Sequence, residues 1–349
     1  LMRRRQFMAQ LSAALAATAL PAAAAPALGD GDTLAAAWRE PGSAGGPDFV
    51  GLLHADWGAQ AVRVQAALPV PSRAHGLLAL AGGGFVAVAA RPGGWLLRCD
   101  AQGGVVRQLA MADDTATRSL NGHVAASADG HWLYTTETDR TSGLGWVSVR
   151  DLVTLARVAQ WPSHGLDPHQ LVLDRDGALL LANGGIPRSA DGKKRELALM
   201  DPSLVRLHPR DGELLDQWRL ADRRLSLRHL VWNQAAAEAP ALLGIALQAE
   251  HDEPSQRQDA PLLALWDGRS LSLPSTAAVG SGYAGDIAAG PGGGFVVSGQ
   301  RIHRALWWQP QQPGRWTVIG ELQEVCALSA WPGPQGEAGV LIGGLRGLA

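Results

Sequence analysis

A strand–turn–strand pattern with a fixed spacing recurs along the chain and limits what it can fold into. The start of one short apolar strand is followed ten positions later by the start of a second. These pairs of starts are His75 and Phe85, His123 and Leu133, His169 and Leu179, and Gly285 and Phe295. Gly-rich or Asp-Gly turns separate the two strands. Because almost no segment after residue 30 has a helical period, the pattern predicts an all-β protein.

The spacing between copies of the pattern predicts the architecture. Equivalent starts at residues 75, 123, 169, 229, 285 and 326 are separated by 48, 46, 60, 56 and 41 residues. Four-stranded propeller blades have periods of this size when some loops carry insertions. A further start near Leu34–Trp38 makes seven copies. The sequence therefore predicts a single β-propeller domain of seven blades, of the WD40 or YVTN type, over residues 30–349.

The first residues have the features of an export signal. Arg3–Arg5 precedes Gln6–Met8, which fits the twin-arginine pattern, and an alanine-rich stretch follows. We predict a twin-arginine signal peptide over residues 1–27 and a periplasmic mature protein with no stable membrane insertion. The alternative is an uncleaved membrane anchor. It is disfavoured because alanine-rich segments insert poorly into bilayers.

Charge and cysteine content exclude several classes of protein. The chain has 30 Lys and Arg against 32 Asp and Glu, a net charge of -2. It therefore has no electrostatic signature of nucleic-acid binding. Its two cysteines, Cys99 and Cys326, are too few for a disulfide-built fold. No Cys-x-x-Cys-His motif occurs, which excludes covalent c-type haem.

Polar residues occupy equivalent positions in several copies of the pattern. The first strand starts with a histidine in four copies: His75, His123, His169 and His229. A fifth copy has Asp286 one position later, and a sixth has Cys326. The second strands end at Arg91, Glu137, Asn183, Gln248 and Gln300. In a propeller the start of the innermost strand and the end of the next lie on one face. We therefore expect both sets to converge around one mouth of the central channel.

Imidazoles grouped in this way are ready ligands for copper, zinc or iron, and a nearby thiolate would favour copper or zinc. The candidate metal ligands are His75, His123, His169, His229 and Cys326. The candidate cofactor-binding residues are Arg91, Asn183, Gln248 and Gln300. The cofactor would be one of these metals or a non-covalent haem. The alternative is structural, because a histidine at a fixed propeller position can simply hydrogen-bond the next blade.

Several segments of the sequence resemble one family. They are Asn121–His123 with Leu133–Glu137, Gly165–Gln170 with Ala182–Ile186, and Asp201–Leu204 with Arg228–Leu230. The chain resembles, over roughly residues 30 to 345, uncharacterised periplasmic propeller proteins encoded beside imelysin-type iron-regulated proteins and dihaem-peroxidase-like oxidoreductases. The resemblance implies a propeller, export and a metal-handling context. It also implies imelysin-like or dihaem-peroxidase-like partners in the periplasm.

Three functions follow from these patterns. The first is a periplasmic accessory protein of iron or other metal acquisition, which binds its ligand through the four histidines. The second is a metal-dependent oxidoreductase or hydrolase at the same site, with Glu137 as candidate general base. The third is an interaction scaffold in which the histidines are structural. The sequence leaves open whether any reaction is catalysed.

Overall fold

A computed structural model describes residues 31–40, 45–234, 241–275, 278–333, 336–345 and 347–348. The predicted signal peptide at residues 1–27 lies outside the described residues. Strands dominate the described chain, in agreement with the all-β prediction. Among these residues, no helix combines the length and the apolar composition needed to cross a bilayer.

The chain divides into two compact units. The first runs to Ser142 and includes Trp146–Trp161. Its strands are β1 (Asp32–Arg39), β2 (Asp48–Asp56), β3 (Ala61–Val70), β4 (Ala74–Ala79), β5 (Phe85–Ala89), β6 (Trp95–Cys99), β7 (Val105–Ala110), β8 (Arg118–Ala126) and β9 (Trp132–Asp139), and most of β10 (Leu144–Asp151) and β11 (Arg157–Leu166). One short helix, α1 (Met111–Asp114), precedes β8.

The second unit comprises Gly143–Gly145 and the chain from Pro162 onward. Its strands are β12 (Pro168–Leu173), β13 (Leu179–Asn183), β14 (Ser203–Leu207), β15 (Leu214–Trp218), β16 (Leu225–Trp232), β17 (Leu243–Ala249), β18 (Leu263–Trp266), β19 (Leu271–Ser272), β20 (Ile287–Ala289), β21 (Phe295–Gly299), β22 (Arg304–Trp308), β23 (Trp316–Glu321), β24 (Ala327–Pro332) and β25 (Ala338–Gly343). Its helix is α2 (Pro254–Asp259), and its 3₁₀ turns are Leu197–Leu199, Gly280–Gly282, Pro291–Gly293 and Gln300–Ile302.

Strands that follow one another in sequence pair within one sheet. Within the described ranges, five sheets have four strands each: β4–β7, β8–β11, β12–β15, β16–β19 and β20–β23. In the same residues, the sheet β1–β3 has three strands and the sheet β24–β25 has two. The prediction of seven equivalent blades is therefore wrong. Its cause is that the sequence pattern counts the starts of first strands, and two of those starts do not lead into a complete four-stranded sheet.

The predicted pairs of first and second strands are confirmed. Each first strand pairs in antiparallel fashion with the strand that follows it, as β4 does with β5 and β12 with β13. The turns between them use glycine where the backbone needs a positive φ. Gly130 and Gly177, each in a predicted Asp-Gly turn, have φ values of 70° and 87°.

The apolar core lies between consecutive sheets. Phe85 of β5 packs in one cluster with Val50 of β2, and Phe295 of β21 packs in another with Ala246 of β17. All four side chains are fully buried. Tryptophans also serve as packing residues between sheets: Trp266 of β18 joins the cluster that includes Leu180 of β13. Within each compact unit, these clusters therefore bury faces of consecutive sheets against each other.

Candidate metal centre

The four predicted histidines all lie in β-bulges. In a bulge, one strand has more residues than its partner between two successive pairings. On β4, Ala74 pairs with Ala89 and Gly76 pairs with Val88, the very next residue of β5. His75 is therefore the extra residue. Because a bulge changes the direction of the side chain it carries, His75 leaves the ordinary alternation of the strand.

The bulge on β12 has the same cause. Pro168 pairs with Asn183 and Leu171 pairs with Leu181. Two residues, His169 and Gln170, therefore stand opposite the single residue between Asn183 and Leu181. The extra residue redirects the side chains at the start of this strand.

The bulges on β16 and β8 complete the set. On β16, Arg228 and His229 stand opposite one residue of β17, because Leu227 pairs with Leu247 and Leu230 with Ile245. On β8, the pairings of Leu120 with Glu137 and Val124 with Thr135 enclose Asn121, Gly122 and His123 opposite Thr136 alone. The β8 bulge therefore has two extra residues, whereas each of the others has one.

The histidine rings associate in pairs within each compact unit. The ring centroids of His75 and His123 are 4.7 Å apart, and the two rings are nearly perpendicular, at 86°. The centroids of His169 and His229 are 4.8 Å apart, with an interplanar angle of 46°. Each pair brings together imidazoles from consecutive sheets, as the repeat pattern predicts.

The four histidines form one group of potential ligands. One ring nitrogen of each lies within 4.8 Å of one ring nitrogen of every other. His123, His169 and His229 are buried, with at most 9% of each residue exposed, whereas His75 is partly exposed. Among the described His, Cys, Asp and Glu residues, this is the group with the proximity that a metal ion requires. We call these four residues the histidine cluster.

Two glycines shape the backbone around His75. Gly122 has a φ of 98°, and a Cβ there would lie only 2.6 Å from Cδ2 of His75. A Cβ on Gly76 would lie 2.4 Å from the carbonyl oxygen of Gly122. Both approaches are too close for any side chain. The bulges of β4 and β8 can therefore pack against each other only because both positions are glycine.

A carboxylate contacts the histidine cluster from the next sheet. Nδ1 of His229 lies 2.7 Å from Oδ1 of Asp286. The same carboxylate accepts hydrogen bonds from the backbone N–H of Ile287 and of Leu328, both at 2.8 Å. Sequence reasoning noted Asp286 as a residue one position after the histidine phase, but did not find its role. The only signal in the sequence is that position at the start of its repeat.

The structure places Glu137 in a buried ion pair and not in the histidine cluster. Its Oε1 lies 2.8 Å from Nη2 of Arg150, and neither side chain is exposed. Arg150 also pairs with Asp114 at 2.8 Å. Nη1 of Arg118 lies 3.9 Å from Oε2 of Glu137, and burial lowers the pKa of Arg118. Glu137 therefore forms part of a buried ion-pair network, which does not favour a role as general base.

Two of the candidate cofactor-binding residues take part in local hydrogen bonds. Nδ2 of Asn183 donates to the carbonyl oxygen of Ser163 at 2.8 Å. Nε2 of Gln248 donates to Oε1 of Glu250 at 2.5 Å. Glu250 also pairs with Lys194, and burial lowers the pKa of that lysine. Asn183 and Gln248 therefore hold loops and neighbouring strands at the ends of β13 and β17.

The remaining predicted residues lie next to the ends of strands. Arg91 follows β5, and Gln300 begins a 3₁₀ turn after β21. Cys326 is exposed and precedes β24. Cys99 is buried at the end of β6, and burial raises the pKa of its thiol to about 12. Neither thiol belongs to the group of four potential ligands within the described chain.

The donor set suits a bare transition-metal ion. Two nitrogen ligands on opposite sides of an ion lie about 4.2 Å apart, because a metal–nitrogen bond is about 2.1 Å long. The largest separation in the histidine cluster is 4.8 Å. The separations in the histidine cluster are therefore comparable to the span of one coordination sphere. Neutral imidazoles are accepted by copper, zinc, iron and nickel.

Solved structures share the fold at low sequence identity. The chain is similar to a chain of hydrazine synthase from Kuenenia stuttgartiensis, with a TM-score of 0.61 and 12% identity, over 87% of this chain and 91% of the other. It is similar to a streptogramin B lyase (TM-score 0.53, 11% identity, 90% and 96% covered). It is also similar to virginiamycin B lyase from Staphylococcus aureus (TM-score 0.55, 7% identity, 90% and 97% covered). These likenesses show the fold alone, an all-β propeller with six blades and not the predicted seven.

One family model covers residues 68–340, which include the whole histidine cluster and Asp286. No curated protein matches the sequence significantly. The resemblance seen in the sequence, to an uncharacterised family, agrees with this finding. The chain belongs to the family described as protein of unknown function DUF1513.

Proposed function

We propose that this protein is a periplasmic accessory protein in the acquisition of iron or another transition metal, and that it binds the ion through His75, His123, His169 and His229. The observation that carries the proposal is the proximity of four imidazole nitrogens, all within 4.8 Å of one another. Periplasmic placement rests on the twin-arginine pattern, and the acquisition role rests on the family resemblance.

The bulges support a binding role over a purely structural one. A histidine that only fastens neighbouring blades needs a hydrogen-bond partner on the next blade and no departure from regular pairing. Here all four histidines occur where the pairing of first and second strands is interrupted. Bulges are over-represented next to functional sites, where they redirect side chains.

The donor set favours a bare ion over haem. A porphyrin already supplies four nitrogens to its iron, so a protein adds one or two axial ligands. Four converging imidazoles instead offer a complete nitrogen set to one ion. Without a thiolate in the group, affinity should follow the usual order for nitrogen sites, in which Cu²⁺ binds most tightly and Fe²⁺ binds less tightly than Zn²⁺.

The test is metal titration of purified protein without an affinity tag. Metal-free protein is prepared with a chelator and titrated separately with Cu²⁺, Zn²⁺ and Fe²⁺ under anaerobic conditions, with elemental analysis of the stoichiometry. The variant is His75→Ala/His169→Ala, which removes one ligand from each histidine pair. The matched control is His131→Ala/His208→Ala, which removes two histidines outside the cluster.

We expect one ion per chain in the wild type and in the control, and loss of stoichiometric binding in the His75→Ala/His169→Ala variant. Equal binding by both double variants would contradict the proposal. A wild type that takes up none of the three ions would leave the histidines a structural role and favour the scaffold function.

A further inference from the structure

We infer that Asp286 is a positioning residue that selects which nitrogen of His229 faces the metal ion. This inference rests on the proposed metal-binding function. It adds a fifth residue to the site. This residue does not touch the ion but determines which nitrogen of the His229 ring can bind it. The observation that supports it is the 2.7 Å contact between Oδ1 of Asp286 and Nδ1 of His229.

The contact determines the tautomer of the imidazole. An ionised carboxylate only accepts hydrogen bonds, so Nδ1 of His229 must carry the proton that the two atoms share. In the neutral ring the proton is then absent from Nε2, whose lone pair becomes the ligand. A carboxylate on the other ring nitrogen also makes the ligating nitrogen more basic. Asp286 thus sets the tautomer in which Nε2 of His229 can bind a metal ion.

Asp286 is itself held firmly. It accepts from the backbone N–H of Ile287 through Oδ1 and from that of Leu328 through Oδ2. Both oxygens therefore accept from the backbone, one from Ile287 at the start of β20 and one from Leu328 on β24. A carboxylate fixed at both oxygens has little freedom to rotate away from His229. The orientation of the His229 ring follows from the position of the backbone around Asp286.

Asparagine cannot replace the carboxylate at this position. It has one acceptor oxygen and one NH₂ donor in place of two acceptor oxygens. If its oxygen faces Leu328, its NH₂ faces Nδ1 of His229 and favours the opposite tautomer, with the proton on Nε2. If its oxygen faces His229, its NH₂ opposes the N–H of Leu328. Asp286→Asn should therefore impair the site although its size is unchanged.

The tautomer of His229 can be measured directly by NMR, and no metal ion needs to be bound. Metal-free protein with ¹⁵N-labelled histidine is studied by NMR, and the His229 signals are assigned through their loss in His229→Gln. Asp286→Ala and Asp286→Asn are compared with Asp267→Ala. Asp267 also accepts two backbone N–H bonds, from Arg269 and Ser270, but does not contact a histidine of the cluster. Zn²⁺ affinity of each protein is measured in parallel.

We expect His229 to be protonated on Nδ1 in the wild type and in Asp267→Ala, and on Nε2 in Asp286→Ala, which has no acceptor at this position. Zn²⁺ affinity should fall about 10- to 100-fold in the Asp286 variants and stay unchanged in the control. Protonation of wild-type His229 on Nε2, or unchanged Zn²⁺ affinity in Asp286→Ala, would overturn the inference. A wild type with the Nδ1 proton that binds no metal would instead reject the proposed function and leave the tautomer assignment standing.

Discussion

The first strands of the sheets fall into two kinds, and the difference explains which of them carry a histidine of the cluster. Strands β4, β8, β12 and β16 pair with their second strands through a bulge, and each carries a histidine of the cluster there. Strands β1, β20 and β24 pair with theirs in unbroken register. None of these three carries a histidine at its start. The bulge and the histidine therefore occur together.

The position of a residue in the repeat and the direction of its side chain depend on different features of the fold. The repeat places a residue at the start of every first strand, but the bulge determines where its side chain points. Cys326 shows the difference: it occupies the expected start before the unbroken strand β24, yet it is exposed and outside the cluster. Asp286, which precedes the unbroken strand β20, contacts His229 and not the centre of the group.

The largest expected effect concerns the widest bulge. Glu137 pairs with Leu120 at one edge of the β8 bulge and forms the buried ion pair with Arg150. Glu137→Ala removes one of the two carboxylates that pair with the buried guanidinium of Arg150 and should lower the free energy of unfolding by about 3 kcal/mol. Chemical denaturation measures this loss.

The matched control is Glu321→Ala, which removes one partner of an exposed ion pair with Arg304. It should change stability very little, because exposed ion pairs contribute little. Similar losses in the two variants would mean that the buried pair does not support the bulge. Metal binding by the folded Glu137→Ala protein would show separately that Glu137 is not needed as a ligand at the cluster.

A smaller effect is expected where two bulges meet. Gly122→Ala introduces a Cβ within 2.6 Å of the His75 ring, so the ring must move away from its position in the cluster. We expect Zn²⁺ affinity to fall by about tenfold, a cost of about 1.4 kcal/mol. Gly130→Ala is the control: its φ is also positive, at 70°, but its Cβ would meet nothing within 4 Å. Equal Zn²⁺ affinities in the two variants would mean that the contact with His75 does not matter.

The smallest expected effect concerns a first strand that pairs in unbroken register. Cys326→His places an imidazole at the start of β24, where no bulge redirects it. We expect the stoichiometry and the Cu²⁺ absorption spectrum to match those of the wild type. A spectrum that shows an additional nitrogen ligand would mean that repeat position alone is enough to supply a donor, and the distinction between the two kinds of strand would fail.

The sequence predicts the strand pairs and the shared phase of the four histidines, because both depend on local patterns such as the ten-residue spacing from His75 to Phe85. The bulges could not be predicted, since a register shift depends on how two strands align. Gly76 and Gly122 are the sequence features that accompany the bulges of β4 and β8. The ion pair of Glu137 depends on Arg150, which lies on the next strand of the sheet. The blade count failed because a strand start does not reveal how many strands follow.

The bulges also bear on how such a site could arise or disappear during evolution. On β12, the pairings on either side of the bulge, Pro168 with Asn183 and Leu171 with Leu181, are both regular. Deletion of one codon between them would restore an unbroken strand while both flanking pairings kept their partners. A single-codon insertion in an unbroken first strand would do the reverse. The number of imidazoles in the cluster could therefore change by one at a time, without any rearrangement of the sheets.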